Sequence, residues 1–96
     1  MPTFVVERYV PGISRAQAES VLAAEAALVR ELTASGCAIR ILHTTYVEAD
    51  ETVLSFVEAP SRADVVELGE RVGVPADRIV PAVSLELPGP RNGVTT

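Results

Sequence analysis

The sequence predicts a small α+β domain in which four strands and two helices follow one another in the order β-α-β-β-α-β. Two observations predict this order. The sequence contains four strand-like runs rich in apolar and β-branched residues. A run with helical apolar spacing lies between the first and second of them and another between the third and fourth, while an acidic turn joins the second and third. A faint internal repeat also relates residues 4–7 and 14–16 to residues 54–58 and 61–63, so each half is one β-α-β unit. At 96 residues the chain has room for one such domain.

The first strand and the first helix are defined by the signals at their ends. Residues 4–10 are rich in β-branched and aromatic side chains, and the turn dipeptide Pro11-Gly12 ends the strand. Ser14 stands where an N-cap belongs, and Gln17 three residues later completes a capping box. Apolar residues at helical spacing then carry the helix to about residue 34, namely Ala18, Val21, Leu22, Leu28, Val29 and Leu32.

The second half begins with a hairpin, since residues 38–47 and 52–58 are strand-like and the acidic turn 48–51 joins them. Ser61 is the predicted cap of the second helix and Gly73 its stop. Residues 78–87 form the last predicted strand, which completes a domain at 1–87 and leaves 88–96 as a flexible tail. Right-handed crossovers place both helices on one face of a four-stranded antiparallel sheet, which is the ferredoxin-like arrangement.

The face of the sheet opposite the helices predicts a homodimer. A strand with one wet face alternates apolar and polar residues, yet residues 53–57 and 79–83 are largely apolar on both parities. Because the two helices cover only one face, we expect a second copy of the chain to cover the other. Two sheets facing each other make a dimeric α/β barrel with a cavity between them.

The composition and net charge of the chain argue against two classes of binding partner. The chain is 48% hydrophobic and 22% charged with a mean hydropathy of +0.28, which is typical of a globular domain. A net charge of −5 without any lysine argues against nucleic acid and anionic membranes as partners. Glu7 interrupts the apolar run near the start before it reaches the length of a signal-peptide core, so we expect a cytoplasmic protein. The single cysteine, Cys37, excludes a disulfide within one chain.

His43, the single histidine of the sequence, is the first candidate for chemistry. Imidazole is the side chain most easily used as a metal ligand or a general base near neutral pH. A histidine hydrogen-bonded within the sheet is the alternative interpretation. The chain has none of the paired histidine or cysteine spacings of an ordinary zinc site, so a metal here needs carboxylates or His43 of a second copy.

Strand parity nominates further ligand-binding residues. Glu7 and Tyr9 fall on the parity of the first strand that does not pack under the helices, so they should point into the cavity. Ser55 should do the same if Leu54 and Phe56 are core residues. For Glu7, the alternative is a carboxylate at the edge of the sheet in water.

Glu25 is the least expected acidic residue, because it falls in the middle of the apolar stripe of the first helix. A carboxylate in such a stripe is paired, reaches solvent, or is functional. We favour a structural partner, either Arg8 or Arg40, and keep Glu25 as a secondary ligand-binding candidate.

Several short motifs are spread over the chain in a fixed order: FVVER and VPG near the start, LHTTYV and DE in the hairpin, then EAP and GVPADRI. Together they resemble the small nickel-binding-protein-like family of bacterial domains, over residues 2 to about 86. The resemblance implies a ferredoxin-like fold, dimerisation through the sheet faces and, in some members, a nickel site built from histidines. Of the functional residues that it implies, His43 is the one that carries over.

Two hypotheses of function follow. In the first, a homodimer binds nickel, another divalent transition metal or a small molecule near the sheet interface through His43, helped by Glu7 and Tyr46. One imidazole should bind a metal weakly, and tightly only when the dimer brings two together. The alternative is a cofactor-independent enzyme of the monooxygenase, isomerase or polyketide-cyclase type. There His43 or Glu7 is the general base, and Arg40 or Tyr46 stabilises the enolate or phenolate. A regulatory dimer without chemistry is a third option.

Overall fold

The computed structural model describes residues 1–88 and has the α+β, ferredoxin-like architecture that the sequence predicts. The sheet order is β2-β3-β1-β4, and each neighbouring pair is antiparallel. The tail predicted for 88–96 lies outside the described residues except for Pro88. The elements are β1 Thr3–Tyr9, α1 Arg15–Ala34, β2 Arg40–Val47, a 3-10 turn Glu48–Asp50, β3 Thr52–Glu58, α2 Arg62–Val72 and β4 Arg78–Ala82.

The helix ends follow the predicted local chemistry. The Ser14 hydroxyl accepts a hydrogen bond from the Gln17 backbone N–H at 3.1 Å, and the Gln17 side chain accepts one from the Ser14 N–H at 2.8 Å. This capping box satisfies two N–H groups that have no partner within α1. Gly73 ends α2 with φ +89°, a conformation that glycine adopts without strain. Neither helix within residues 1–88 is both long and apolar enough to cross a membrane.

The helices pack on the face of the sheet to which β3 contributes Val53, Ser55 and Val57, all fully buried. The condition under which Ser55 was expected to face the cavity, that Leu54 and Phe56 are core residues, is not met, because the register puts both on the other face of the sheet. The main core consists of Phe4, Val6, Leu28, Ile39, Val57, Ala59, Val65, Leu68 and Ile79. We call the uncovered sheet face the open face; it carries Val5, Leu54, Phe56 and Val80, all half-buried.

β4 ends at Ala82, whereas the sequence predicts a strand that continues to residue 87. Its pairing with β1 stops where Thr3 faces Ala82. The preceding residue of β1, Pro2, has no N–H to donate, and its carbonyl already accepts from the Ala59 N–H at 3.1 Å. Residues 83–88 therefore continue without any strand of the described part of the chain beside them, although their sequence favours one.

β2 contains a bulge that decides which side chains face the helices. Ile41 pairs with Val57 and His43 pairs with Phe56, so Leu42 is an extra residue opposite the β3 ladder. Ile41 consequently faces the helices while His43 lies on the open face. Without the bulge, the two residues would share one face.

Candidate functional site

His43 lies on the open face of the sheet, exposed and close to the edge. Its Nε2 is 2.7 Å from Thr45 Oγ1, which is within hydrogen-bond distance. The imidazole ring also lies beside the Phe56 ring on β3, with 6.0 Å between ring centroids. The row across the sheet continues through Val5 and Val80. His43 is thus the polar end of an apolar row that neither α1 nor α2 covers.

Charged pairs flank this row on both sides. Arg40 Nη2 lies 2.9 Å from Glu58 Oε1, at the end of the sheet where β2 begins. In the row on the other side of His43, Glu7 Oε2 lies 3.5 Å from Arg78 Nη1. Two of the predicted catalytic residues, Glu7 and Arg40, therefore share the open face with His43, and each already has a charged partner.

Glu7 is not a neighbour of His43, although both lie on the open face. Glu7 pairs with Leu54, whereas His43 pairs with Phe56 on the far side of the same strand β3. Two strand spacings separate them across the sheet, which is about 10 Å. Tyr9 lies farther along β1 from this row and is 56% exposed at the margin of the open face. Glu7 and Tyr9 have the predicted parity, but His43 contacts neither side chain directly.

The predicted partnership between His43 and Tyr46 is wrong, because the two side chains lie on opposite faces of the sheet. Tyr46 pairs with Val53, which faces the helices. Its hydroxyl donates a hydrogen bond to the Ile13 carbonyl at 2.8 Å and so holds the loop that leads into α1. Tyr46 is therefore a structural residue in this arrangement.

Under the helices lies a fully buried polar network around Glu25. Arg8 Nη1 is 2.7 Å from Glu25 Oε2, with side chains 1% and 0% exposed. This contact is an ion pair without good hydrogen-bond geometry, and Arg8 Nη2 has no hydrogen-bond partner in the described part of the chain. Arg8 Nε donates to the Val74 carbonyl at 2.7 Å. Glu25 thus pairs with one of the two arginines that the sequence nominated.

Ser55 belongs to this buried network and not to the open face, which corrects its predicted position in the cavity. Its hydroxyl donates to Glu25 Oε1 at 3.1 Å. The Thr44 hydroxyl lies 3.1 Å from Ser55 Oγ and extends the network to β2. No sequence signal singled out Thr44. Of the two arginines nominated for Glu25, Arg8 could have been preferred, because it shares its parity in β1 with the core residues Phe4 and Val6.

A groove runs between α1 and the edge strand β2, on the helix side of the sheet. It consists of two adjoining concavities of about 590 and 460 Å³, which share Leu22 and Thr44. We call it the α1–β2 groove and define it by Ala18, Leu22, Ala26, Val29, Leu42 and Thr44. Leu22 and Leu42 are 38% and 40% exposed, so the centre of the groove is apolar and open to solvent. Charged and polar side chains line its two ends, namely Arg15, Glu19 and Glu48 at one end and Arg40 and His43 at the other.

One chain does not gather the ligands of a metal site. Within residues 1–88, no three histidine, cysteine, aspartate or glutamate side chains are close enough to hold one ion together. Cys37 is half-buried just before β2 and packs against the main core. Among these residues, His43 therefore has no two further side chains of these types beside it that could hold a metal with it.

The sequence from β1 to β4 also matches a known family. Residues 4–82 match the family model described as nickel responsive protein SCO4226-like. The chain belongs to the SCO4226-like family. This membership confirms the nickel-related resemblance that the short motifs predict, and the matched residues include the whole open face from β2 to β4 except Thr3.

A solved structure supports the fold of this SCO4226-like chain. The crystal structure of SCO4226 from Streptomyces coelicolor A3(2) is 24% identical in sequence and superposes with a TM-score of 0.70. The similarity covers 88% of this chain and 99% of that one. At this identity the likeness establishes the ferredoxin-like fold. Among proteins of curated function, none matches the chain significantly.

Proposed function

We propose that this SCO4226-like protein is a homodimer that binds nickel, or a related divalent transition metal, between its open sheet faces through His43. The observation that carries the proposal is the position of His43, whose exposed imidazole ends an apolar row on a face that no helix covers. The family description, nickel responsive, supports nickel as the first ion to test.

The distribution of apolar and charged residues on the open face is typical of an interface between subunits. Val5, Phe56 and Val80 form an apolar row across its centre, and Leu54 extends it. The charged pairs Arg40–Glu58 and Glu7–Arg78 flank that row on its two sides. An apolar centre with a polar rim is the usual composition of an interface between protein subunits. A second copy of the same face would remove this apolar surface from water.

The donors of one chain do not fit nickel by themselves. His43 supplies one imidazole, and its neighbour Thr45 supplies a hydroxyl, which is a weak ligand for this metal. Imidazole nitrogen suits nickel well, so a second imidazole is the most effective addition that the protein can make. Two copies of His43, one from each subunit, provide it in the proposed dimer.

The test is a calorimetric titration of chelator-treated protein with nickel and zinc, beside the His43→Ala variant at the same concentration. We expect one metal ion for two chains, and binding weakened about tenfold or more in the variant. Glu67→Gln is the matched control, since it removes an exposed carboxylate from α2, remote from the open face, and should leave the affinity unchanged. Equal affinity in wild type and His43→Ala would refute the metal site.

The geometry supports this binding role better than the enzyme alternative. Tyr46 cannot stabilise an anion formed near His43, because its hydroxyl lies on the helix side and is bound to Ile13. Glu7 and Arg40 are each neutralised by a charged neighbour. The predicted catalytic residues therefore do not converge on one substrate position within a chain.

A further inference from the structure

Residues 83–87 form a segment with the pattern of a strand but without a strand's contacts. Val83, Leu85 and Leu87 are 83%, 88% and 91% exposed, and the polar residues Ser84 and Glu86 alternate with them. Apolar side chains at every second position are typical of a strand that buries one face. We call residues 83–87 the VSLEL segment.

The VSLEL segment cannot find that burial within its own sheet. β1 no longer pairs with β4 beyond Ala82. The segment follows β4 directly and has no turn that would fold it back on the outer edge of β4, so the other edge strand of the described sheet, β2, is the one left to pair with. β2 lies three strand spacings from β4, a distance of about 14 Å. Five extended residues span about 17 Å, so the segment cannot both cross the sheet and pair with β2.

The exposed apolar side chains of the molecule lie mainly in two places, the VSLEL segment and the α1–β2 groove. Seven large hydrophobic side chains of residues 1–88 are exposed, and three of them belong to the VSLEL segment. Two others, Leu22 and Leu42, line the α1–β2 groove. The groove lies beside β2, which is an edge strand of the sheet formed by residues 1–88 and pairs on its outer side with no other strand of these residues.

We infer that the VSLEL segment of one copy adds as a strand to β2 of a second copy and fills the partner's α1–β2 groove. The inference rests on the proposed homodimer and names a contact that this dimer makes outside the open face. Backbone hydrogen bonds to β2 supply affinity, and the alternate apolar side chains enter the two concavities. The exchange is reciprocal, so each dimer contains two such contacts.

Side-chain alternation puts the polar residues of the segment on the polar side of the partner's β2. When Val83, Leu85 and Leu87 face the groove on the helix side, Ser84 and Glu86 face the opposite side of the partner's sheet. That side of β2 carries His43 and Arg40, and Arg40 already pairs with Glu58. Glu86 thus lies on a polar face and is not buried in the groove, whichever direction the added strand takes.

Paired substitutions one residue apart test the contact in the full chain. Leu85→Asp puts a charge on the groove side of the segment, and Ser84→Asp puts the same charge on the other side. We expect sedimentation equilibrium to show a dimer dissociation constant raised about tenfold or more by Leu85→Asp, and about threefold or less by Ser84→Asp. Because residues 84 and 85 are exposed in the monomer, both variants should keep the wild-type urea midpoint at concentrations where the protein is monomeric.

Mixing two variants tests whether the segment acts on the other copy. Leu22→Asp damages the groove, so homodimers of either variant have two damaged contacts. A mixed dimer keeps one intact contact, between the segment of the Leu22→Asp copy and the groove of the Leu85→Asp copy. Because either substitution alone should remove a contact, the mixed dimer retains one contact and each homodimer none. We expect mixed dimers to exceed half of all dimers, which is the share that random pairing gives.

The outcomes separate this inference from the function on which it rests. A wild-type protein that stays monomeric would refute the proposed dimer and the segment exchange together. A wild-type dimer whose dissociation constant is unchanged by Leu85→Asp, or an equimolar mixture without excess mixed dimer, would refute the exchange alone.

Discussion

The two faces of the sheet hold ion pairs of nearly the same length in opposite surroundings. Arg8 and Glu25 meet at 2.7 Å on the helix side with side chains 1% and 0% exposed. Arg40 and Glu58 meet at 2.9 Å on the open face, where their side chains are 68% and 25% exposed. The distances alone would rank the pairs as equals. Burial makes the difference, because a buried charge that loses its partner cannot be solvated by water.

The largest effect is expected for Glu25→Gln, which keeps the shape of the side chain and removes its charge. Arg8 is then a buried cation without a counter-charge, which should lower the free energy of unfolding by about 3–5 kcal/mol. Urea denaturation followed by circular dichroism measures the loss. The double variant Arg8→Met with Glu25→Leu is the control, and it should recover most of the stability because no charge stays buried. A loss below about 1 kcal/mol in Glu25→Gln would show that water reaches the network.

A smaller effect is expected for Ser55→Ala, which removes a neutral member of the same network. Glu25 Oε1 and the Thr44 hydroxyl both lose their buried hydrogen-bond partner, at a cost of about 1–3 kcal/mol. Thr45→Ala on the open face of β2 is the matched control, and we expect a loss of about 0.5 kcal/mol or less. Equal losses in the two variants, measured by urea denaturation, would contradict the difference between the faces.

The smallest effect is expected for Glu58→Gln on the open face. An exposed ion pair contributes about 1 kcal/mol or less, and added salt screens it further. Urea midpoints compared at low and at high salt, with the protein dilute enough to be monomeric, measure this contribution. A loss as large as that of Glu25→Gln and insensitive to salt would mean that the Arg40–Glu58 pair is buried within the monomer, which would contradict the difference between the faces.

Local signals in the sequence predicted the elements well. The capping box of Ser14 and Gln17, the cap Ser61 and the stop Gly73 act within a few residues, and each lies where its pattern indicates. The end of β4 could not be predicted in the same way. It depends on whether β1 still offers a paired neighbour, which is a property of the sheet and not of residues 83–87.

The assignment of side chains to faces was harder to predict, and the candidate site depends on it. In β3 both parities are apolar, so hydrophobicity cannot tell Phe56 from Val57, and Ser55 was placed on the wrong face. The cross-strand register with β1 decides it. The burial and pairing of Glu25 could be predicted more closely. A carboxylate inside an apolar helical stripe requires a partner, and Arg8 has the parity of the core residues in β1.

The position of His43 depends on Leu42 being taken up as a bulge. A relative that lacked one residue at Leu42 would pair without a bulge, and Ile41 and His43, now consecutive, would still lie on opposite faces of the sheet. A relative that kept the length of β2 but lost the bulge would instead bring both side chains to one face, so that either Ile41 left the helix side or His43 left the open face. Among relatives that keep this histidine on the open face, a deletion of one residue at this position should therefore be tolerated, whereas a regular strand of the same length should not.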